Sequence, residues 1–184
     1  MRMKLILSIF MVAAVCLAQP DAKPLPPVQQ EYMNEFEHAM GQVIALAKAM
    51  PADKFGWRPG PGVRSTSEVF MHIASANLML LSVAGVKEPA GMKTSDVPAI
   101  RELEKTQTTK AQVLEWLERS LDAVRKAYPA TTPAAQERSV DFFGRKRSVR
   151  AVYLRLLVHV DEHMGQAVAY ARVNGIAPPW SRQE

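Results

Sequence analysis

The chain has 184 residues, a formal charge of +5 and a single cysteine, Cys16. That length suits one domain with a real hydrophobic core. The excess of base is mild and acidic residues are scattered through the chain, which argues against a nucleic-acid partner; the densest basic cluster, "GRKRSVR" at 144–150, has no interleaved aromatic residues and reads as a solvated loop before a helix.

The first element reads as an export signal. "MRMKLILSIFMVAAVCLAQPDA" begins with Arg2 and Lys4, runs apolar from Leu5 to Ala18 apart from Ser8, and then turns polar and proline-rich, the three-part layout of a secretory signal peptide. The apolar part is shorter than the roughly 20 residues that cross a bilayer. Cleavage after Ala18, with small residues at Cys16 and Ala18, is therefore expected, giving a periplasmic or extracellular protein with no membrane span in its mature form. A lipoprotein anchored through Cys16 is the secondary reading, because Val15 is bulky for such a site. Loss of residues 1–18 leaves 166 residues at +3 and removes the cysteine, so the mature chain has no disulfide, thiolate ligand or cysteine nucleophile.

A proline-rich lead at 19–27 precedes the domain expected over 28–184. In "EYMNEFEHAMGQVIALAKAM", Tyr32, Phe36, Met40, Val43 and Ala47 share one helical stripe, His38 faces away from it, and Pro51 ends the helix. The turn "PADKFGWRPGPGVRS" follows. Ser65 and Glu68 then form a capping box that opens the second helix, with Val69, Ile73, Ala76 and Leu80 as its apolar stripe, His72 at the stripe's edge and Gly85 as its stop. Residues 86–108 read as a mixed connection in which "AIRELEKT" forms a short helical piece. Thr109 and Gln112 make a second capping box, opening a third helix lined by Val113, Leu114, Leu117, Leu121 and Val124 and followed by Pro129 and Pro133. "ERSVDFFGRK" reads as at most a short extended piece ending at Gly144. The fourth helix runs from about Val149 to Val173, stopped by Asn174-Gly175.

Four amphipathic helices without convincing strands make the fold class all-α, a four-helix bundle; the connection of more than 20 residues before the third helix lets it cross the bundle's length. On the fourth helix His159 and His163 lie one turn apart, in line with Val152, Gln166 and Tyr170, while Asp161 points the opposite way. His72 can join them from the second helix. Three inward imidazoles with no acidic neighbour make a poor core, since each ring has two nitrogens that need partners, and a divalent metal resolves the difficulty. The spacing alone leaves the bland alternative open, a pair of core histidines bonded to carbonyls.

The chain resembles the DinB-like (damage-inducible B) superfamily of four-helix metalloenzymes. The resemblance lies in "WRPGPGVRSTSEVFMHIASAN", "DFFGRK" and "LLVHVDEHMGQAVAYARVNGIAPPW", in the family's order and across nearly all of 28–180. It implies an up-down-down-up bundle and a divalent ion, zinc or nickel, held by His72, His159 and His163. It also implies one of two activities on a small-molecule substrate, thiol S-transfer or hydrolysis; a homodimer is an analogy with bundle relatives. Export favours a metal-dependent hydrolase, because abundant reduced thiols belong to the cytoplasm. A non-catalytic metal- or ligand-binding protein is the alternative of another class. Glu68 and Glu162 flank the histidines as weak general-base candidates against capping and solvent-facing roles. Gln166, Trp57 and Arg64 are candidate pocket residues, with a structural turn as the competing role for Trp57, Arg58 and Arg64.

Overall fold

The computed structural model describes residues 24–87 and 97–183. The expected export signal, Cys16, Pro89 and Gly91 lie outside the described residues. Four long helices build the bundle: α1 (Pro27–Ala49), α2 (Thr66–Val83), α4 (Lys110–Ala130) and α6 (Val149–Val173), with the shorter α3 (Val97–Thr106) and α5 (Pro133–Gln136) between them. No described helix is long and apolar enough to cross a membrane.

Local chemistry sets the helix ends where the spacing of caps and glycines placed them. Both capping boxes are formed, Ser65 with Glu68 and Thr109 with Gln112. At the far ends of α2 and α6 the chain turns through Gly85 and Gly175, each with positive φ. There Val86 N–H donates to Leu81 O and Ile176 N–H to Ala171 O, which satisfies the carbonyls that a helix leaves unpaired.

The helix directions follow from side-chain contacts. Near the start of α1, Gln29 bonds Thr131 at the end of α4, and Lys110 at the start of α4 bonds the carbonyls of Lys48 and Met50 at the end of α1. These two helices are antiparallel. Tyr32 donates to Tyr153 O near the start of α6, so α1 and α6 run the same way. Arg138, ahead of α6, reaches Ala84 O at the end of α2, while Tyr170, late in α6, donates to Arg64 O before α2. The course is thus up-down-down-up, with α2 and α4 parallel neighbours. Phe36, Met40, Leu46, Phe70, Ile73, Leu117 and Tyr153 fill the space between them and are fully buried.

Three readings of the sequence need correction. A hairpin is present: β1 (Ser139–Phe142) pairs antiparallel with β2 (Arg145–Ser148) across Phe143-Gly144. Both turn residues have positive φ, as the type I′ turn of a two-residue hairpin loop requires, but Phe-Gly lacks the Asn or Asp that usually announces one. The basic cluster accordingly forms a solvent-exposed strand rather than a loop. Pro129 lies inside the last turn of α4 instead of following it.

Truncating Leu117, which is fully buried, to Ala is expected to lower unfolding free energy by about 2–5 kcal/mol in urea titrations. Leu154→Ala, at an exposed site on α6, should change it by less than about 0.5 kcal/mol.

Candidate metal centre

The turn before α2 is tied down by the helix it precedes. A helix leaves its first N–H groups unpaired; here Thr66 N–H donates to Trp57 O, Ser67 N–H to Phe55 O, and Glu68 N–H to Ser65 Oγ. Phe55 packs against Phe70 and Trp57 stands edge-on to Tyr170. These contacts hold Arg64, eight residues ahead of His72, with its guanidinium 3.3 Å from His72 Nδ1.

Antiparallel packing of α2 on α6 brings the three histidines together. The ring of His72 lies 4.9 Å from that of His159 and 4.6 Å from that of His163, and the latter two are 4.5 Å apart. One nitrogen of each ring falls within 4.8 Å of the others, close enough for one metal ion to be held by all three. His159 is buried and the other two are partly so.

The neighbours dictate which nitrogen each ring presents. Glu104 of α3 places one carboxylate oxygen 2.7 Å from His72 Nδ1 and the other 2.8 Å from Arg64 Nε. Burial pushes the Glu104 carboxyl up, but the hydrogen bonds and charges of His72 and Arg64 outweigh it and hold the group below the ordinary carboxylate range. An ionised carboxylate only accepts, so His72 carries its proton on Nδ1 and turns a bare Nε2 inward. A second chain of bonds does the same for His163. Tyr170 donates its hydroxyl proton to Arg64 O, Gln166 Nε2 donates to the Tyr170 oxygen, and Gln166 Oε1 is left to accept from His163 Nδ1 at 3.0 Å.

His159 cannot be satisfied by protein groups alone. Its Nε2 sits 3.2 Å from His72 Nε2, and its Nδ1 is buried without a hydrogen-bond partner among the described residues. Whichever nitrogen carries the proton, the neutral ring leaves a buried polar atom unpaired, a costly arrangement. Three imidazole nitrogens within 4.8 Å of one another suit a divalent transition ion, so the residues fit the metal that the sequence suggested. Burial, reinforced by the charges of the other two histidines, pushes His159 down to about 3. Burial also lowers His163, against the bond to Gln166 that raises it.

A cleft of about 520 Å³ lies beside this cluster, lined by Arg58, Gly62, Val63, Arg64, Glu68, Arg101, Glu104, Lys105 and Gln166. Two of the three expected pocket residues, Arg64 and Gln166, line it; Trp57 packs on Tyr170 beneath. Glu68 lines the cleft as well, while caught between Ser65 N–H and Arg58. Glu162 is exposed and pairs with Arg155 at 2.8 Å. His38 is exposed on α1, as its position around the helix predicted.

The expectation of no acidic neighbour is overturned by Glu104. It escaped notice because it sits in the short helix of a long connection, where a charged residue reads as solvent-facing. Its signal was its position: Glu104 follows Ile100 by four residues and Leu103 by one, on the face that α3 buries.

The profile of the DinB superfamily matches residues 35–167. Among solved structures, the chain is similar to a DinB-like protein from Bacillus cereus ATCC 10987, with a TM-score of 0.63 and 17% identity over 82% of this chain and 95% of that one. It is also similar to a DinB-like protein from Bacillus subtilis, with a TM-score of 0.58 and 20% identity over 79% and 92%. At these identities the likeness is one of fold. No curated protein matches the chain.

Because His159 and His163 are held below the ordinary value of 6.5, the unfolded chain binds more protons than the folded one under acid conditions. Stability of chelator-treated protein is therefore expected to be full above about pH 6.5 and to fall as pH drops below it, by up to about 1.4 kcal/mol per pH unit for each ring. Urea titrations between about pH 7 and pH 5, above the range in which ordinary carboxylates titrate, measure this slope. His159→Asn should flatten it.

Proposed function

The chain belongs to the DinB superfamily, and on that premise we propose that His72, His159 and His163 hold a divalent ion, zinc or nickel, in an exported metal-dependent hydrolase of small molecules. The observation that carries this reading is the convergence of three imidazole nitrogens within 4.8 Å of one another, beside a cleft. When bound by three nitrogens, such an ion keeps a coordination position open and supplies Lewis-acid activation of water or a small nucleophile at neutral pH.

The protein's own groups prepare that chemistry. Glu104 and Gln166 keep the protons of His72 and His163 on Nδ1, so that both rings present Nε2 inward as acceptors. Arg64 balances the Glu104 charge. Of the two general-base candidates, Glu68 lines the cleft, held there by Ser65 N–H and Arg58, whereas Glu162 pairs with Arg155 on the surface. Export rests on the charged start, short apolar run and small residues of 1–18, and it favours hydrolysis over transfer to a thiol.

Elemental analysis of the purified protein should give one ion per chain. Esters, amides, lactones and thiol-transfer pairs offered to it should include a hydrolytic substrate whose kcat/KM falls at least about a hundredfold in His163→Ala. Stoichiometric metal with no triad-dependent turnover on any class would leave a binding protein and remove the hydrolase. Glu104→Gln should weaken metal affinity about 10–100-fold in chelator competition; unchanged affinity would show that Glu104 does not orient His72.

A further inference from the structure

The cleft beside the histidines is unevenly charged. Its lining holds four cations, Arg58, Arg64, Arg101 and Lys105, against two carboxylates, Glu68 and Glu104. The carboxylates are already matched: Arg58 lies 3.3 Å from Glu68, and Arg64 lies 2.8 Å from Glu104. Arg101 and Lys105 make no ion pair among the described residues. They stand four apart on α3, so their side chains leave one face of that helix together. Glu104, between them in sequence, turns inward to His72. A single short helix thus orients an imidazole with one residue and offers two unmatched cations to the adjoining cleft with its neighbours.

Two other sources of positive potential are absent from this cleft. The first N–H groups of α2 are consumed by Trp57 O, Phe55 O and Ser65 Oγ, so that helix end has no donors left for an anion. The basic strand β2 is remote in the fold, packed on α6 at its start.

We propose that this cleft selects small anionic substrates, with Arg101 and Lys105 binding a carboxylate or phosphate group while the bond to be cleaved faces the histidine cluster. The proposal deepens the hydrolase reading and rests on it for the identity of the reaction. The binding of the anion rests on the cleft alone. The two cations supply charge-assisted hydrogen bonds that a neutral substrate cannot use, and an arginine beside a lysine accepts either a planar or a tetrahedral anion.

Binding is tested first, without turnover. Glutarate and inorganic phosphate are titrated calorimetrically into the metal-loaded protein and into Arg101→Gln/Lys105→Gln, with Arg150→Gln as a surface-charge control. Both cleft substitutions are at exposed sites, and circular dichroism checks that the fold is kept. At least one anion should bind the wild type and the control alike, and the double variant should bind it at least about tenfold more weakly. The tighter of the two identifies the group preferred. Absence of binding to the wild type, or equal binding to the double variant, overturns the proposal. Aryl esters ending in a carboxylate or in its neutral amide are then compared. The wild type should prefer the anionic ester through a lower KM, and the double variant should lose that preference; a preference that survives in the double variant counts against the proposal. Hydrolysis of neither ester would count against the hydrolase and leave the titrations to decide the anion site.

Discussion

The carboxylate of Glu104 is the group on which the site depends. A buried charge is tolerated only where opposite charge and hydrogen bonds replace the water it gives up, and here the replacement comes from two directions, His72 on α2 and Arg64 on the turn before it. The connection between α2 and α4, the turn before α2 and α2 itself therefore meet at one side chain. Without Glu104, His72 could present either nitrogen to the cluster, and Arg64 would lose its partner at the rim of the cleft.

The remaining ligand candidates are held in a different manner. His163 is fixed by Gln166 and Tyr170, both on its own helix, and this chain of bonds ends on a backbone carbonyl of the turn. His159 has no such support; its ring is buried and its outer nitrogen is unpaired among the described residues. The cluster thus contains one ring oriented by a charge, one by a neutral amide and one by packing and its Nε2 contact with His72. Burial keeps protons off two of these donors, His159 and His163, and unprotonated rings are what a divalent cation requires of imidazoles.

Much of this was legible in the residues themselves. The two capping boxes and the two glycine stops fixed the ends of the long helices, because those motifs report backbone hydrogen bonds that depend on a few adjacent residues. Periodicity placed His159 and His163 on one face and His72 at the edge of another for the same reason, and the resemblance to the DinB-like superfamily supplied their meeting. What could not be read was non-local. Glu104 gains its role from where a connecting helix comes to rest, and no pattern within "AIRELEKT" states that it lies over α2. The hairpin escaped because its turn, Phe143-Gly144, puts a bulky residue in a left-handed conformation that Asn or Asp usually adopts. Its outward strand, Arg145–Ser148, lacks the apolar alternation by which strands are recognised.

The parallel placement of α2 beside α4 has a kinetic consequence. Helices that follow one another in a simple up-and-down bundle can zip together through local contacts, whereas here Tyr32 meets Tyr153 across 121 residues and His72 meets His159 across 87. Loops of that size must close before either contact gives anything back, so the chain should fold more slowly than helical content alone suggests. The imidazole cluster can then exist only after the ends of the domain have come together, and a nascent chain still lacking α6 has no site with which to capture a cation prematurely.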